Sequence, residues 1–498
     1  MAELTLVKPA QNGLEWVYDM WCGSRPTWTK EPSTKVIKRI VSDHFKKPDL
    51  DDIKVEFLTQ GGFNKIYMIT VADSDAYIFR VSLPVDPYFK TTSEVNTRKM
   101  LREYTTIPIP ETLAFDVSQQ NVLGFEWTLM ERMPGVTVED MVKINNEKPP
   151  ITLLYDESSD RVSREGWCKI PWDAKCKLVE DLVNICVQLF RIQTQSMGSV
   201  YGSEPIHMGI RFQPNSFRTL ARKLQSMLIT GRAKSNSLNT FTSPQALQLP
   251  EGYRVGTMVD MQLFWNQSVG IQISRGPFSS VRDWLKTWLT INKFNAEHPW
   301  QQDDESDDES DASSDSVDED ANVMWLVPEL IDLLPKIFPP SENEIFTLHH
   351  DDMSRSNILI DQDTCELTAL LDWECVSFVP LWKACEIPRI LDDFAPREEE
   401  PKQDDFPPDE EGRRSHLYFE AVGQYEKTQL RDMFVDRMAE IEPKWTELYW
   451  SEEMDLRKDF LCAVENTGNG ACTRPVIRWV KNFKAGKPET GFAARMRI

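Results

Sequence analysis

His350, Asp352, Asn357 and Asp372 fall within the single stretch Leu348–Glu374, which reads LHHDDMSRSNILIDQDTCELTALLDWE. Their order supplies what phosphoryl transfer from ATP requires. The carboxylate of Asp352 is of a type that accepts or orients a hydroxyl proton, and Asn357 and Asp372 offer hard oxygen ligands to magnesium. A plainer account makes Asp351 and Asp352 a turn and Asp372 a solvated strand end. It leaves Asn357 and Trp373 without a reason to be where they are.

Several elements must position these groups. Ile358, Leu359 and Ile360 predict one short strand and Leu367 to Leu371 the next, so that Asn357 starts a hairpin and Asp372 ends it. Further upstream, Val55, Phe57, Ile66, Met68, Thr70, Tyr77, Phe79 and Val81 alternate in short runs, as the strands of an antiparallel sheet do. The first two runs are joined by Gln60-Gly61-Gly62-Phe63-Asn64-Lys65, whose two glycines let the backbone approach a phosphate with its amides turned inward. A helix from Ser93 carries Glu94 and Arg98 four apart, with Met100, Leu101 and Tyr104 expected inward. Longer apolar periods predict helices over Cys176–Thr194, Val281–Asn292 with Ser280 as its cap, Val327–Ile337, His416–Phe434 and Trp445–Val464. Residues 1–47 form an N-terminal extension. Leu14, Val17, Tyr18 and Trp21 are spaced for one helical face, and Val36, Ile37, Ile40, Val41 and His44 for a second helix.

The His-x-Asp-x4-Asn loop followed by Asp-Trp-Glu resembles the catalytic loop and metal motif of the aminoglycoside phosphotransferase and choline kinase superfamily, relatives of the protein kinases. The resemblance covers about residues 51–135 and 176–390. It implies an α+β, bilobal protein-kinase-like fold, with a small antiparallel β-sheet N-lobe over residues 48–135 and a mainly helical C-lobe over 136–498. It implies ATP and Mg2+ as cofactors and a small-molecule hydroxyl as acceptor. On the family pattern the third strand, YIFRVSLP, places the basic residue Arg80 against the phosphates, with Glu94 as its partner. Arginine stands there where many kinases have lysine. It keeps its charge and grips phosphate through two donors. Glu131-Arg132-Met133-Pro134-Gly135 resembles the hinge, so Glu131 and Met133 are expected to meet adenine through their backbones. The implied roles are then Asp352 for catalysis; Asn357 and Asp372 for the metal; and Gly61, Gly62, Asn64, Arg80, Glu94, Glu131 and Met133 for the nucleotide. His350 is expected to steady the loop, and Glu374 to support the metal or meet substrate. The alternative is a pseudokinase or nucleotide-binding scaffold. A protein kinase is disfavoured, because no Asp-Phe-Gly to Ala-Pro-Glu activation segment follows Asp372.

Composition narrows the remaining classes. With 56 Lys and Arg against 79 Asp and Glu, the 498-residue chain has a formal net charge of −23, which excludes non-specific nucleic-acid binding as a function. Nine cysteines without a C-x-x-C pair fit reduced thiols and a cytoplasmic location. No apolar run is long enough to span a membrane, and the first residues lack the apolar core of a secretory signal. The acidic insertion, residues 299–322 with its dense run Asp303–Asp320, is expected to be disordered. Ser306 and Ser316 each precede an acidic residue by three positions and are expected sites for an acidophilic kinase. The insertion and the N-terminal extension are the candidate surfaces for a protein partner.

Overall fold

The computed structural model describes residues 4–7, 9–19, 23–72, 76–144, 166–203, 247–299, 314–341, 343–392, 396–408, 414–468, 470–487 and 490–496. The chain opens with a hairpin, β1 (Leu14–Asp19) and β2 (Gly23–Trp28), followed by helix α1 (Thr34–Phe45). β1 replaces the first expected helix. Trp16 points into a cluster with Leu83, Val85, Val259 and Phe264, and antiparallel pairing from Leu14–Trp28 to Asp19–Gly23 fixes the register. Trp21 lies outside the described residues.

The small lobe is built from β3 (Ile53–Gln60), β4 (Asn64–Val71), β5 (Ala76–Ser82), α2 (Phe89–Tyr104), β6 (Thr112–Asp116) and β7 (Glu126–Glu131). Its five strands are antiparallel in the order β3-β4-β5-β7-β6. Because strand side chains alternate, the sheet has two distinct faces. Tyr67, Ile69, Phe79, Val81 and Leu129 bury one face against Ile37 and Val41 of α1. The other carries Asn64, Ile66, Ile78, Arg80 and Thr128, in register across β4, β5 and β7. Helix α2 packs there. Met100 and Leu101 are fully buried as expected, but Tyr104, in its last turn, is 48% exposed.

Gly135 ends the connection from β7 to β8 (Val136–Thr137) with φ +96°; a Cβ there would stand 2.4 Å from the Ile360 carbonyl oxygen, so only glycine fits. The large lobe follows with α3 (Val138–Ile144), α4 (Trp172–Arg191), β9 (Ile192–Thr194), β10 (Gly198–Gly202), β11 (Leu247–Gln248), β12 (Tyr253–Gly256) and α5 (Val281–Glu297). Ser280 caps α5 by accepting from the Asp283 amide at 3.1 Å, and Trp284, Leu285, Trp288 and Leu289 are all buried. Helix α6 spans Ser314–Ile337, so the expected disorder does not extend over 314–322. The rest of the dense acidic run, with Ser306, lies outside the described residues, as do residues 204–246.

The stretch around Leu348–Glu374 supplies β13 (Phe346–His349), β14 (Ile358–Ile360) and β15 (Leu367–Leu370), and β16 (Ser377–Pro380) follows. β14 pairs with β15 and with β8, whereas β13 and β16 lie in a six-stranded sheet ordered β11-β9-β13-β16-β10-β12. Around this sheet the large lobe is mainly helical, as expected. Helices over His416–Ile441, Pro443–Tyr449, Glu452–Glu465 and Gly470–Lys484 complete it. The basic C-terminal helix docks on α6: Lys484 pairs with Glu329, and Lys481 lies over the Trp325 ring at 5.5 Å. Among the described residues no helix is long and apolar enough to cross a membrane.

Candidate active site

The stretch Leu348–Glu374 folds so that its polar residues gather at one end of the β14–β15 hairpin. Leu371 donates its amide to the Asn357 carbonyl at 2.8 Å, which sets Asn357 beside the start of the Asp372-Trp373-Glu374 turn. Asn357 donates through Nδ2 to the Asp352 carbonyl at 3.0 Å and to Asp352 Oδ2 at 2.7 Å. With its amino group so engaged, its Oδ1 is the atom left to meet a cation. Asp352 Oδ1 accepts from Arg389 Nη1 at 3.1 Å. His350 sits behind the loop, edge-on to Trp373 with ring centroids 4.9 Å apart. Its Nε2 faces the Leu371 carbonyl at 3.0 Å and its Nδ1 accepts the Asp352 amide at 3.3 Å, which defines a neutral tautomer carrying its proton on Nε2. Burial lowers its pKa and favours that neutral form.

Asp372 has φ +59° and Cys375 φ +60°, left-handed backbone at two non-glycine residues that flank the turn. Such geometry persists only where surrounding contacts hold it. Here the principal contact is Arg80. Its guanidinium pairs with Glu94 through Nη1, and reaches Asp372 Oδ1 at 3.2 Å and Glu374 Oε2 at 2.5 Å through Nη2. One side chain from the small lobe thus joins a helix and the metal-type turn of the large lobe. Burial raises the Asp372 pKa, with the Glu374 charge adding to the effect. Burial would raise Glu374 as well, but Lys90 and Arg80 outweigh it and hold that carboxylate low.

Gly61 and Gly62 lie in the exposed turn above this cluster. No atom stands within 4 Å of a Cβ built on either, so each glycine borders open space. Asn64, at its base, donates Nδ2 to Glu374 Oε2 at 2.9 Å. Glu131 ends β7; its amide is taken by the Glu111 carbonyl at 2.9 Å and its carboxylate accepts the Glu111 amide at 3.2 Å, so its carbonyl is what it can offer a ligand. Met133 lies half-buried two residues on. Ile66 and Ile78 are half-buried on the Arg80 face of the sheet. Leu359 alternates with the core residues Ile358 and Ile360 and so turns to the opposite side of its strand.

Sequence reasoning did not single out Lys90, whose Nζ lies 2.6 Å from Glu374 Oε2, nor Arg389. Neither sits in a local pattern; each is identified by a partner distant in the chain. A cleft of about 620 Å³ adjoins the His350–Asn357 loop, lined among others by His349, Asp351, Arg355, Glu386 and Arg389. In it, His349 Nε2 is buried with no hydrogen-bond partner among the described residues. Burial, with the Lys383 charge adding to it, depresses the His349 pKa to about 4. A base whose folded pKa is depressed contributes full stability above its unfolded pKa of roughly 6.5 and loses it as pH falls toward 4. The wild-type chain should therefore lose up to about 2 kcal/mol more than a His349→Leu variant between pH 7 and pH 5. Urea midpoints at the two pH values measure this, and equal losses would remove His349 from the account.

No family model matches the chain. A subtelomeric hrmA-associated cluster protein of Aspergillus fumigatus is 21% identical over 365 residues, which cover 68% of this chain and 63% of the relative. Its counterpart from a second strain of that fungus matches equally. The chain thus spans less than two thirds of the length of these curated relatives. Among solved structures, a thermostable mutant of aminoglycoside phosphotransferase APH(4)-Ia aligns over 90% of this chain and 99% of its own, at 12% identity and TM-score 0.39. A putative aminoglycoside phosphotransferase from Ralstonia eutropha aligns over 90% and 96%, at 11% identity and TM-score 0.39. Macrolide 2'-phosphotransferase type I aligns over 94% and 98%, at 9% identity and TM-score 0.33.

Proposed function

We propose that this chain is a phosphotransferase that moves the γ-phosphoryl group of ATP, with magnesium, to a hydroxyl group of a small molecule. The observation that carries this reading is the convergence at one mouth between the lobes: Asp352 bonded to Asn357, Asn357 joined through Leu371 to Asp372, and Asp372 bonded to Arg80.

Magnesium and ATP, when bound, would supply the transferable group and spread its developing charge. Asn357 Oδ1 and the Asp372 carboxylate, 37% exposed, are the oxygen donors suited to the metal. The described residues hold no cluster of three His, Cys, Asp or Glu able to retain an ion by themselves, so an ion here would complete its shell with phosphate and water oxygens. Arg80 presents a charged fork to phosphate while Glu94 fixes its other side. An adenine base would be met by the carbonyl of Glu131 and the backbone of Met133. Asp352 orients the acceptor hydroxyl, which approaches from the cleft lined by Glu386 and Arg389. No Asp-Phe-Gly to Ala-Pro-Glu segment follows Asp372 in the sequence, which disfavours a protein kinase.

The test incubates the chain with labelled ATP, magnesium and a metabolite extract, and mass spectrometry identifies new phosphorylated species. A species absent with an Asp352→Asn control is the expected result. Magnesium-dependent ATP binding with no transfer to any acceptor would instead support the scaffold alternative.

A further inference from the structure

Three donors from three elements end on one oxygen atom. Asn64 Nδ2 lies 2.9 Å from Glu374 Oε2, Arg80 Nη2 lies 2.5 Å from it, and Lys90 Nζ 2.6 Å. A carboxylate oxygen has two lone pairs, and two of these donors are cations; the set is richer than one carboxylate oxygen needs and suits a more highly charged phosphate oxygen. The donors are also built in. Lys90 is 2% exposed, and Arg80 and Asn64 7% each. Asn64 is oriented by its other end, where Oδ1 accepts from Ser82 Oγ at 3.0 Å and from Lys90 Nζ at 3.3 Å, so Nδ2 is committed to the shared point. The other acids near Lys90 are engaged elsewhere: Asp86 by Arg275 at 2.9 and 3.0 Å, and Glu126 by the Tyr88 amide at 2.6 Å. The point lies at the foot of the open Gly61-Gly62 turn, and Arg80 Nη2 links it to Asp372.

We propose that Lys90 is a phosphate-binding residue, and that Arg80, Lys90 and Asn64 form one seat for which Glu374 and a triphosphate oxygen compete. The assignment rests on the phosphotransferase reading and adds a second cation to it. Glu374 then has two positions: on the seat, tying the glycine turn and α2 to the hairpin, or released from it toward the metal side. Nucleotide affinity is set by the difference between phosphate and carboxylate on the same three donors.

The full chain is titrated calorimetrically with two probes: tripolyphosphate in EDTA and ATP with magnesium. The variants are Glu374→Gln, Lys90→Met and the two combined. Removing the competing charge in Glu374→Gln should tighten tripolyphosphate binding about tenfold. Lys90→Met should weaken both probes about 30-fold or more, as expected when one partner of a buried charged contact is truncated. That loss should persist in the combined variant. If Lys90 serves only as a buried partner for Glu374, the loss disappears in the combined variant and Glu374→Gln gives no gain for tripolyphosphate; either result overturns the proposal. Where Lys90→Met does not fold, Glu374→Gln alone decides by the same criterion. A wild-type chain that binds neither probe overturns the phosphotransferase reading as well. Magnesium-ATP binding without the tripolyphosphate gain overturns the seat alone.

Discussion

Asp352→Ala is expected to lower turnover by about 10²–10⁴-fold, the range a positioned proton acceptor contributes, while ATP affinity stays within about threefold. The separation follows from where the carboxylate sits. Asp352 Oδ2 accepts from Asn357 and Oδ1 from Arg389, and the side chain is 40% exposed at the acceptor side of the mouth. On the proposed reading the nucleotide is met by other residues: Arg80, Asn64 and Glu374 are bonded among themselves and none is bonded to Asp352. Alanine therefore removes the group that holds the acceptor proton and leaves the phosphate side intact. Asn357 keeps one anchor in the variant, since its Nδ2 also donates to the Asp352 main-chain carbonyl at 3.0 Å. Single-turnover kinetics and nucleotide titration on the same preparation separate the two effects. A parallel fall in affinity and rate would move Asp352 to nucleotide binding, and an unchanged rate would place the proton acceptor elsewhere.

The legible parts of this chain are those whose physics is local. The hairpin around Asn357 and Asp372 was readable because a short connection joins two apolar strands, and the residues that gather are the ones that flank it. Helix α5 was readable from its Ser280 cap and from Trp284, Leu285, Trp288 and Leu289 on one face. The first hairpin was misread because Leu14, Val17 and Tyr18 fit a helical face over so short a window, while Leu14, Trp16 and Tyr18 fit a strand equally. Tertiary burial of Trp16 decides between them. Like charge argues for disorder across the acidic insertion, yet α6 begins inside it. Lys90 was invisible for a different reason. It stands in a run of threonine and serine with no apolar period to mark a face, and Asn64 and Glu374, which it joins, are 310 positions apart. A function that depends on three elements meeting leaves no trace in any one of them.

Arg80→Met should destabilise the chain by about 3–5 kcal/mol, the usual cost of removing one member of a buried ionic cluster. Three carboxylates depend on this guanidinium. Glu94 is 2% exposed, and after loss of Arg80 its nearest remaining cation is Arg98, at 3.8 Å. Glu374 retains Lys90 and Asn64, whereas Asp372 has no such bonded substitute among the described residues and carries a left-handed backbone that the Arg80 contact helps to hold. The loss therefore falls chiefly on Glu94 and on the Asp372 turn. Arg80→Lys should recover only part of it, because an ammonium keeps the charge but lacks the planar fork that spans Nη1 to Glu94 and Nη2 to the hairpin. Arg80→Met combined with Glu94→Gln should recover a larger share by removing the stranded charge, yet should not restore ATP binding. This combination separates the two duties of one residue: stability returns when the buried acid is neutralised, and affinity for phosphate does not. Denaturant unfolding followed by tryptophan fluorescence measures the first and calorimetry the second. A single Arg80→Met variant as stable as wild type would mean that the two lobes are joined by something other than this cluster.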